Sequence, residues 1–185
     1  MALFLFNKPF QVMCQFSPHP GRPTLADYVD IPGIYPAGRL DADSEGLVLL
    51  TNDGKLQHRI SHPDSKQPKT YIVQVEGTPD ATTLRRLAAP LDLGDFVTQP
   101  CKVSEIETPD WLWERDPPIR HRENKPTSWL AIILSEGKNR QVRRMTAAVG
   151  LPTLRLVRIA IGPFSLATHP VWPGETREVS PSELD

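Results

Sequence analysis

Proline restricts this chain more than any other residue. It occurs 20 times in 185 residues, about twice the usual share of roughly 5%. Each ring fixes φ and removes a backbone donor, so helix interiors and central strands exclude it. Few long helices and many long connections are therefore expected. The length suits one ordinary domain, residues 1–185, with room for two lobes. At this size about 70% of the unfolded chain's surface can be buried, enough for a real core. Hydrophobic residues make up 39% and charged residues 23%, a globular balance.

Two cysteines, Cys14 and Cys101, and no CxxC pair exclude a disulfide scaffold and a cysteine-based zinc site. They suit a reducing compartment, so a cytoplasmic protein is expected. The opening Ala2-Leu3-Phe4-Leu5-Phe6 is too short for a signal core, and no basic stretch precedes it. No apolar run nears the roughly 20 residues of a membrane helix, so no membrane partner is expected. The five histidines are scattered. His58 and His62 stand four apart but lack an HExxH pattern, and no metal site is expected.

Apolar periodicity places the elements. Leu3 and Leu5 alternate with Phe4 and Phe6 in a first strand, which Asn7-Lys8-Pro9 breaks. Residues 12–16 read as a second short strand and 25–29 as a short helix capped by Thr24. The compact run 46–51 reads as a buried strand, and Asp53-Gly54 as the entry to a helix with Leu56 and Ile60 on its apolar face. Residues 70–76 alternate cleanly as a strand. A helix follows over 78–89, with Asp80 as its N-cap. Residues 91–128 are Pro-rich and read as short strands with a long surface excursion. A strand over 129–134, a helix over 140–149 closed by Gly150, and a strand over 154–161 complete the pattern. Residues 179–185 read as a frayed polar tail. Strands dominate, without a βαβ rhythm or a GxGxxG. That favours α+β with a mixed, largely antiparallel sheet.

The net charge of −1 argues against a general polycation. It is unevenly spread. Residues 115–158 hold ten basic and three acidic residues, a net +7, and the rest carries −8. Eight of those ten are arginine, whose guanidinium fork binds phosphate bidentately and stacks on bases. Trp111, Trp113, His121 and Trp129 lie in or beside the segment, as single-stranded or distorted nucleic acid would use. The bland alternative is a solvated basic face balanced by acids elsewhere. On the helix over 140–149, Val142, Met145 and Val149 share one face, and Arg140, Arg143 and Arg144 lie opposite.

Gly38-Arg39-Leu40-Asp41 precedes the buried strand. A carboxylate at a strand mouth, on a glycine-bearing loop, is well placed for catalysis. In the interior it would need a cation, because an unpaired buried charge costs several kcal/mol. On the residues alone, Asp41 is either such a group or a turn or capping carboxylate. Arg39 is either an ion-pair partner or a group for RNA. Asp43 and Glu45 are expected to point to solvent.

GRLDADSEGLVLLTNDG, residues 38–54, resembles the central motif of the RsuA-type ribosomal pseudouridine synthases. LFNKPFQV near the start, KTYIVQVEG at 69–77, EGKNRQVRRM at 136–145 and LPTLRLVRIAIGPF at 151–164 match the same family in order and spacing. WLWERDPPIRHRENKPTSWL, residues 111–130, resembles the ribosomal large-subunit pseudouridine synthase E subgroup. The resemblance implies a pseudouridine-synthase-like α+β fold, with two lobes around a central catalytic cleft. It also implies isomerisation of a chosen uridine in large-subunit (23S) rRNA, with the glycosidic link moved from N1 to C5 and no cofactor. By position, Asp41 matches the family's essential aspartate. Tyr71 matches the tyrosine that stacks on the target base and helps deprotonate C5. Arg143 matches the arginine that pairs with the aspartate, and Leu156 a wall of the pocket. Arg39, Lys138, Arg140 and Arg144 are assigned to RNA, and Lys8 either to RNA or to capping the strand end. Family members often carry an N-terminal S4-type domain. With NKP at residues 7–9 none is expected here, so RNA recognition falls to the catalytic domain, and a monomer is expected.

These roles are physically consistent. Extracting a base from its stack costs a few kcal/mol, and stacking on an aromatic returns roughly 1–3 kcal/mol. An arginine beside Asp41 would favour the ionised carboxylate that attack at C1′ or deprotonation at C2′ requires. The residues do not choose between those two routes. Two other functions stay open. One is a non-catalytic RNA-binding or ribosome-assembly protein on the same fold. The other is a hydrolase pairing Asp41 with Asp43 or Glu45. The arginine-rich segment has no obvious use on a neutral sugar, which disfavours the hydrolase.

Overall fold

A computed structural model of the chain describes residues 1–65, 67–120 and 122–185. His121, named above among the possible RNA contacts, lies outside them. The chain divides into two compact units, one of Met1–Gln67 with Arg158–Asp185, the other of Pro68–Val157. The fold is α+β.

In the first unit, β1 (Leu3–Lys8) pairs antiparallel with β3 (Glu45–Thr51), from Leu3 opposite Thr51 to Lys8 opposite Gly46. A short β2 (Tyr35–Ala37) also pairs antiparallel with β3. Every residue of β3 is buried, which fits the apolar run Leu47–Leu50 within it. Phe6, Val12, Leu25, Leu40, Val48 and Leu50 share one apolar cluster. The helix α1 (Gly54–Ser61) starts where the Asp53 carboxylate accepts from the amides of Lys55 and Leu56, and it buries Leu56 and Ile60, as the sequence predicts.

Two expectations fail in this unit. Residues 12–16 form no strand. They are held by single contacts with 23–25, such as Met13 N to the Pro23 carbonyl at 2.9 Å. Nor do the last residues fray. β8 (Thr176–Val179) pairs with β1. Pro181–Leu184 then forms a 3-10 turn capped by Ser180, and Asp185 bonds Arg59 at 2.7 Å. The order of the tail depends on partners distant in sequence.

In the second unit, β4 (Lys69–Glu76), β5 (Lys102–Ile106) and β6 (Thr127–Leu134) pair antiparallel, with β6 central. The first residues of β7 (Thr153–Ile161) lie beside β4. α2 (Ala81–Ala88) is capped by Asp80, and α3 is Gln141–Ala148. Tyr71, Val73, Leu130, Ile132, Val142 and Leu156 belong to one buried cluster. No helix among the described residues is long and apolar enough to cross a membrane.

Candidate active site

The loop between β2 and β3 carries Asp41. Gly38, at φ +84°, turns the chain out of β2 in a conformation glycine adopts without penalty. Leu40 is buried and anchors the loop, while Asp41 and Asp43 are half-buried. The Asp41 carbonyl accepts from Ser44 N at 3.0 Å, and the Ala42 carbonyl accepts from Gln11 N at 2.6 Å. Two buried cations hold the same backbone. Arg158 donates from Nε to the Leu47 carbonyl at 2.9 Å and from Nη1 to the Arg39 carbonyl at 3.5 Å. Lys8 donates from Nζ to the carbonyls of Pro9 and Val12 at 2.9 Å and of Ala42 at 3.3 Å. Lys8 and Arg158 thus hold the loop main chain on either side of Asp41.

Of its two readings, Lys8 shows the one in which it caps main-chain carbonyls. It is fully buried and its ammonium donates to three carbonyls. Glu45, expected at the surface, is buried as well. Burial lowers the Lys8 ammonium from the usual 10.5 to about 8, against the opposing pull of Glu45, Asp43 and Asp41. Below about pH 8 both folded and unfolded chains hold this proton, and the burial penalty stands in full. Between there and 10.5 the unfolded chain binds more protons, so stability should rise with pH. The rise from this group is at most about 1.4 kcal/mol per pH unit. Urea unfolding at pH 7 to 10 should show wild type gaining stability relative to Lys8→Met across that window. A pH-independent difference would contradict a burial-depressed ammonium.

In the second unit, Tyr71 and Leu156 share the buried cluster with Val142 and Met145 of α3. Tyr71 is 9% exposed. It sits on β4 opposite Ile132 of β6, so the strand fixes its facing. Arg143 is half-buried on α3. Arg140 does not belong to that helix. It precedes it with φ +54°, a left-handed conformation that costs an arginine about 1 kcal/mol. The expected Arg140–Arg143–Arg144 stripe on one helix is therefore incomplete. The turn before α3 is fixed by Lys138 N donating to the Gln141 side chain at 3.1 Å.

The basic segment divides by use. Arg144 forks onto Asp95, donates to the Leu93 carbonyl at 2.9 Å and lies over Phe96. Its guanidinium holds the Asp95 carboxyl below the ordinary carboxylate range. Arg155 donates to the Trp113 carbonyl at 2.8 Å, and Arg115 to the carbonyls of Pro117, Pro118 and Leu154. With Arg158, four of the ten cations serve the fold, so the charge offered outward is smaller than +7. Arg39, Lys138 and Arg140 are exposed. The structural arginines were missed in sequence, although Arg155 and Arg158 interrupt an apolar strand where a cation must find partners. Among the described residues no group of three His, Cys, Asp or Glu side chains could hold a metal ion.

Comparison with known proteins gives one answer. The family model for RNA pseudouridylate synthase matches residues 2–148. A Xanthomonas campestris protein named ribosomal large subunit pseudouridine synthase E is 54% identical over 177 residues, spanning 95% of this chain and 94% of its own. A Vibrio parahaemolyticus protein of the same name is 51% identical over 177 residues, 96% of this chain and 73% of its own. A solved structure titled as a pseudouridylate synthase matches with a TM-score of 0.79 at 28% identity, covering 99% of this chain and 72% of that one. The chain belongs to the RNA pseudouridylate synthase family.

Proposed function

We propose that this enzyme converts one uridine of large-subunit rRNA to pseudouridine, in the cytoplasm and as a monomer. The observation that carries the reading is the Asp41 loop, a half-buried carboxylate whose backbone is held by Lys8 and Arg158. It is supported by relatives more than half identical whose names specify the large subunit of the ribosome.

The chemistry balances without an outside reagent. The N1–C1′ bond breaks, the base turns, and a C5–C1′ bond forms. C5 loses a proton and N1 gains one, so the product is an isomer. Asp41 acts as nucleophile at C1′ or as base at C2′, and both routes need the ionised carboxylate. Tyr71 supplies the aromatic face for the displaced base and a hydroxyl for proton transfer at C5. Leu156 forms an apolar wall, and Arg143 supplies the counter-charge that keeps the aspartate ionised. Arg39, Lys138 and Arg140 meet phosphates.

Purified protein incubated with unmodified large- and small-subunit rRNA transcripts tests this. Carbodiimide mapping should find one new pseudouridine, in the large-subunit transcript only. Modification confined to the small-subunit transcript would overturn the proposed target, and modification of neither the activity.

A further inference from the structure

Between β5 and β6 lies an excursion, residues 107–126, of which 107–120 and 122–126 are described, and it holds none of the proposed reacting groups. Two arginines fasten its root. The Arg155 guanidinium, 6% exposed, donates to the Trp113 carbonyl at 2.8 Å and lies 5.8 Å from the Trp113 ring centroid. Arg115 reaches the Leu154 carbonyl at 3.4 Å while bonding the Pro117 and Pro118 carbonyls at 2.9 and 3.3 Å. Leu154 is two residues from Leu156 on β7, so the root is anchored beside the proposed pocket wall. Cations that bond carbonyls in this way fix geometry rather than offer charge.

Charge along the excursion is segregated. Residues 107–116 hold four acids and one arginine, whereas residues 117–126 hold Arg120, Arg122 and Lys125 against Glu123 alone. Those three cations are all exposed. Among the described residues, no ion pair engages them. Lys125 N donates to the Arg122 carbonyl at 2.9 Å, closing a turn that keeps the two backbones within about 7 Å of each other. Loose surface lysines would be a solvated face. A basic tip on a root held by two arginines is a presented one.

We propose that residues 107–126 are an RNA-gripping arm, with Arg120, Arg122 and Lys125 meeting the phosphate backbone outside the nucleotide being modified. This rests on the pseudouridine synthase reading for the identity of the polyanion. The arm adds affinity and register and takes no part in bond exchange.

The test uses the full chain and a large-subunit rRNA transcript, with binding measured by fluorescence anisotropy across a range of KCl. The R120A/R122A/K125A variant should keep the wild-type melting temperature and bind more weakly. Its slope of log affinity against log salt should fall by about 2, as three lost phosphate contacts at about 0.7–0.9 each require. A control variant, R85A/R86A, removes two exposed cations of α2 and should leave the slope unchanged. An unchanged slope in the arm variant overturns the proposal, as does an equal fall in the control, which would report net charge alone. Pseudouridine formation by wild type is scored in the same samples. Its absence would defeat the functional reading, while the slope would still report whether the arm touches RNA.

Discussion

Asp41→Asn is expected to abolish pseudouridine formation while leaving RNA binding within a fewfold of wild type. The substitution keeps shape and removes the ionisable oxygen. It should cost little stability, because the loop is held through main-chain carbonyls by Lys8 and Arg158 and not through this carboxylate alone. Removing a group that attacks or deprotonates the reacting ribose typically lowers turnover by more than about a thousandfold. The neighbouring acid provides the contrast. Asp43→Asn should retain activity within about tenfold, since it lies outside the proposed chemistry. Single-turnover assays with labelled transcript, beside a binding isotherm, distinguish these outcomes. Equal losses at both positions would favour a shared carboxylate-pair mechanism over a single essential aspartate.

The second large effect is on folding. Gly46, the second residue of the buried strand β3, has φ +110°, and a Cβ there would run into the Arg158 carbonyl oxygen and lie 2.9 Å from its amide nitrogen. Backbone strain of about 1–3 kcal/mol would add to overpacking of about 1–3 kcal/mol. Against a total stability of about 5–15 kcal/mol, Gly46→Ala should lose about 3 kcal/mol or more and shift the urea midpoint accordingly. Gly38→Ala is the comparison. It too has positive φ, but nothing lies within 4 Å of its Cβ position, so only the strain applies. Equal destabilisation by the two variants would show that the close approach to Arg158 contributes nothing.

What was legible in the sequence follows from how local the cause is. β4 and β3 declared themselves by alternation and by an unbroken apolar run. α1 and α2 were marked by Asp53 and Asp80, whose carboxylates cap them. The segment 12–16 misled because its apolar alternation is real, with Val12 and Cys14 buried, yet no strand lies alongside to pair with it. Lys8 is ambiguous in sequence for a similar reason. In a polar Asn-Lys-Pro run it looks exposed, and only the fold brings the Ala42 carbonyl to its ammonium. The tail read as frayed because its partners, β1 and Arg59, are more than a hundred residues away. The motifs name candidate site positions directly, whereas the structural roles of arginines 115, 155 and 158 become visible only with their carbonyl partners in place.

The most direct measurement is a complete pseudouridine map of ribosomal RNA from the source organism lacking this protein, complemented with wild type or with Asp41→Asn. One large-subunit pseudouridine should disappear on deletion, return with wild type, and stay absent with the Asn variant. An unchanged map on deletion, or restoration by Asp41→Asn, would contradict the assignment of one large-subunit uridine to an Asp41-dependent enzyme.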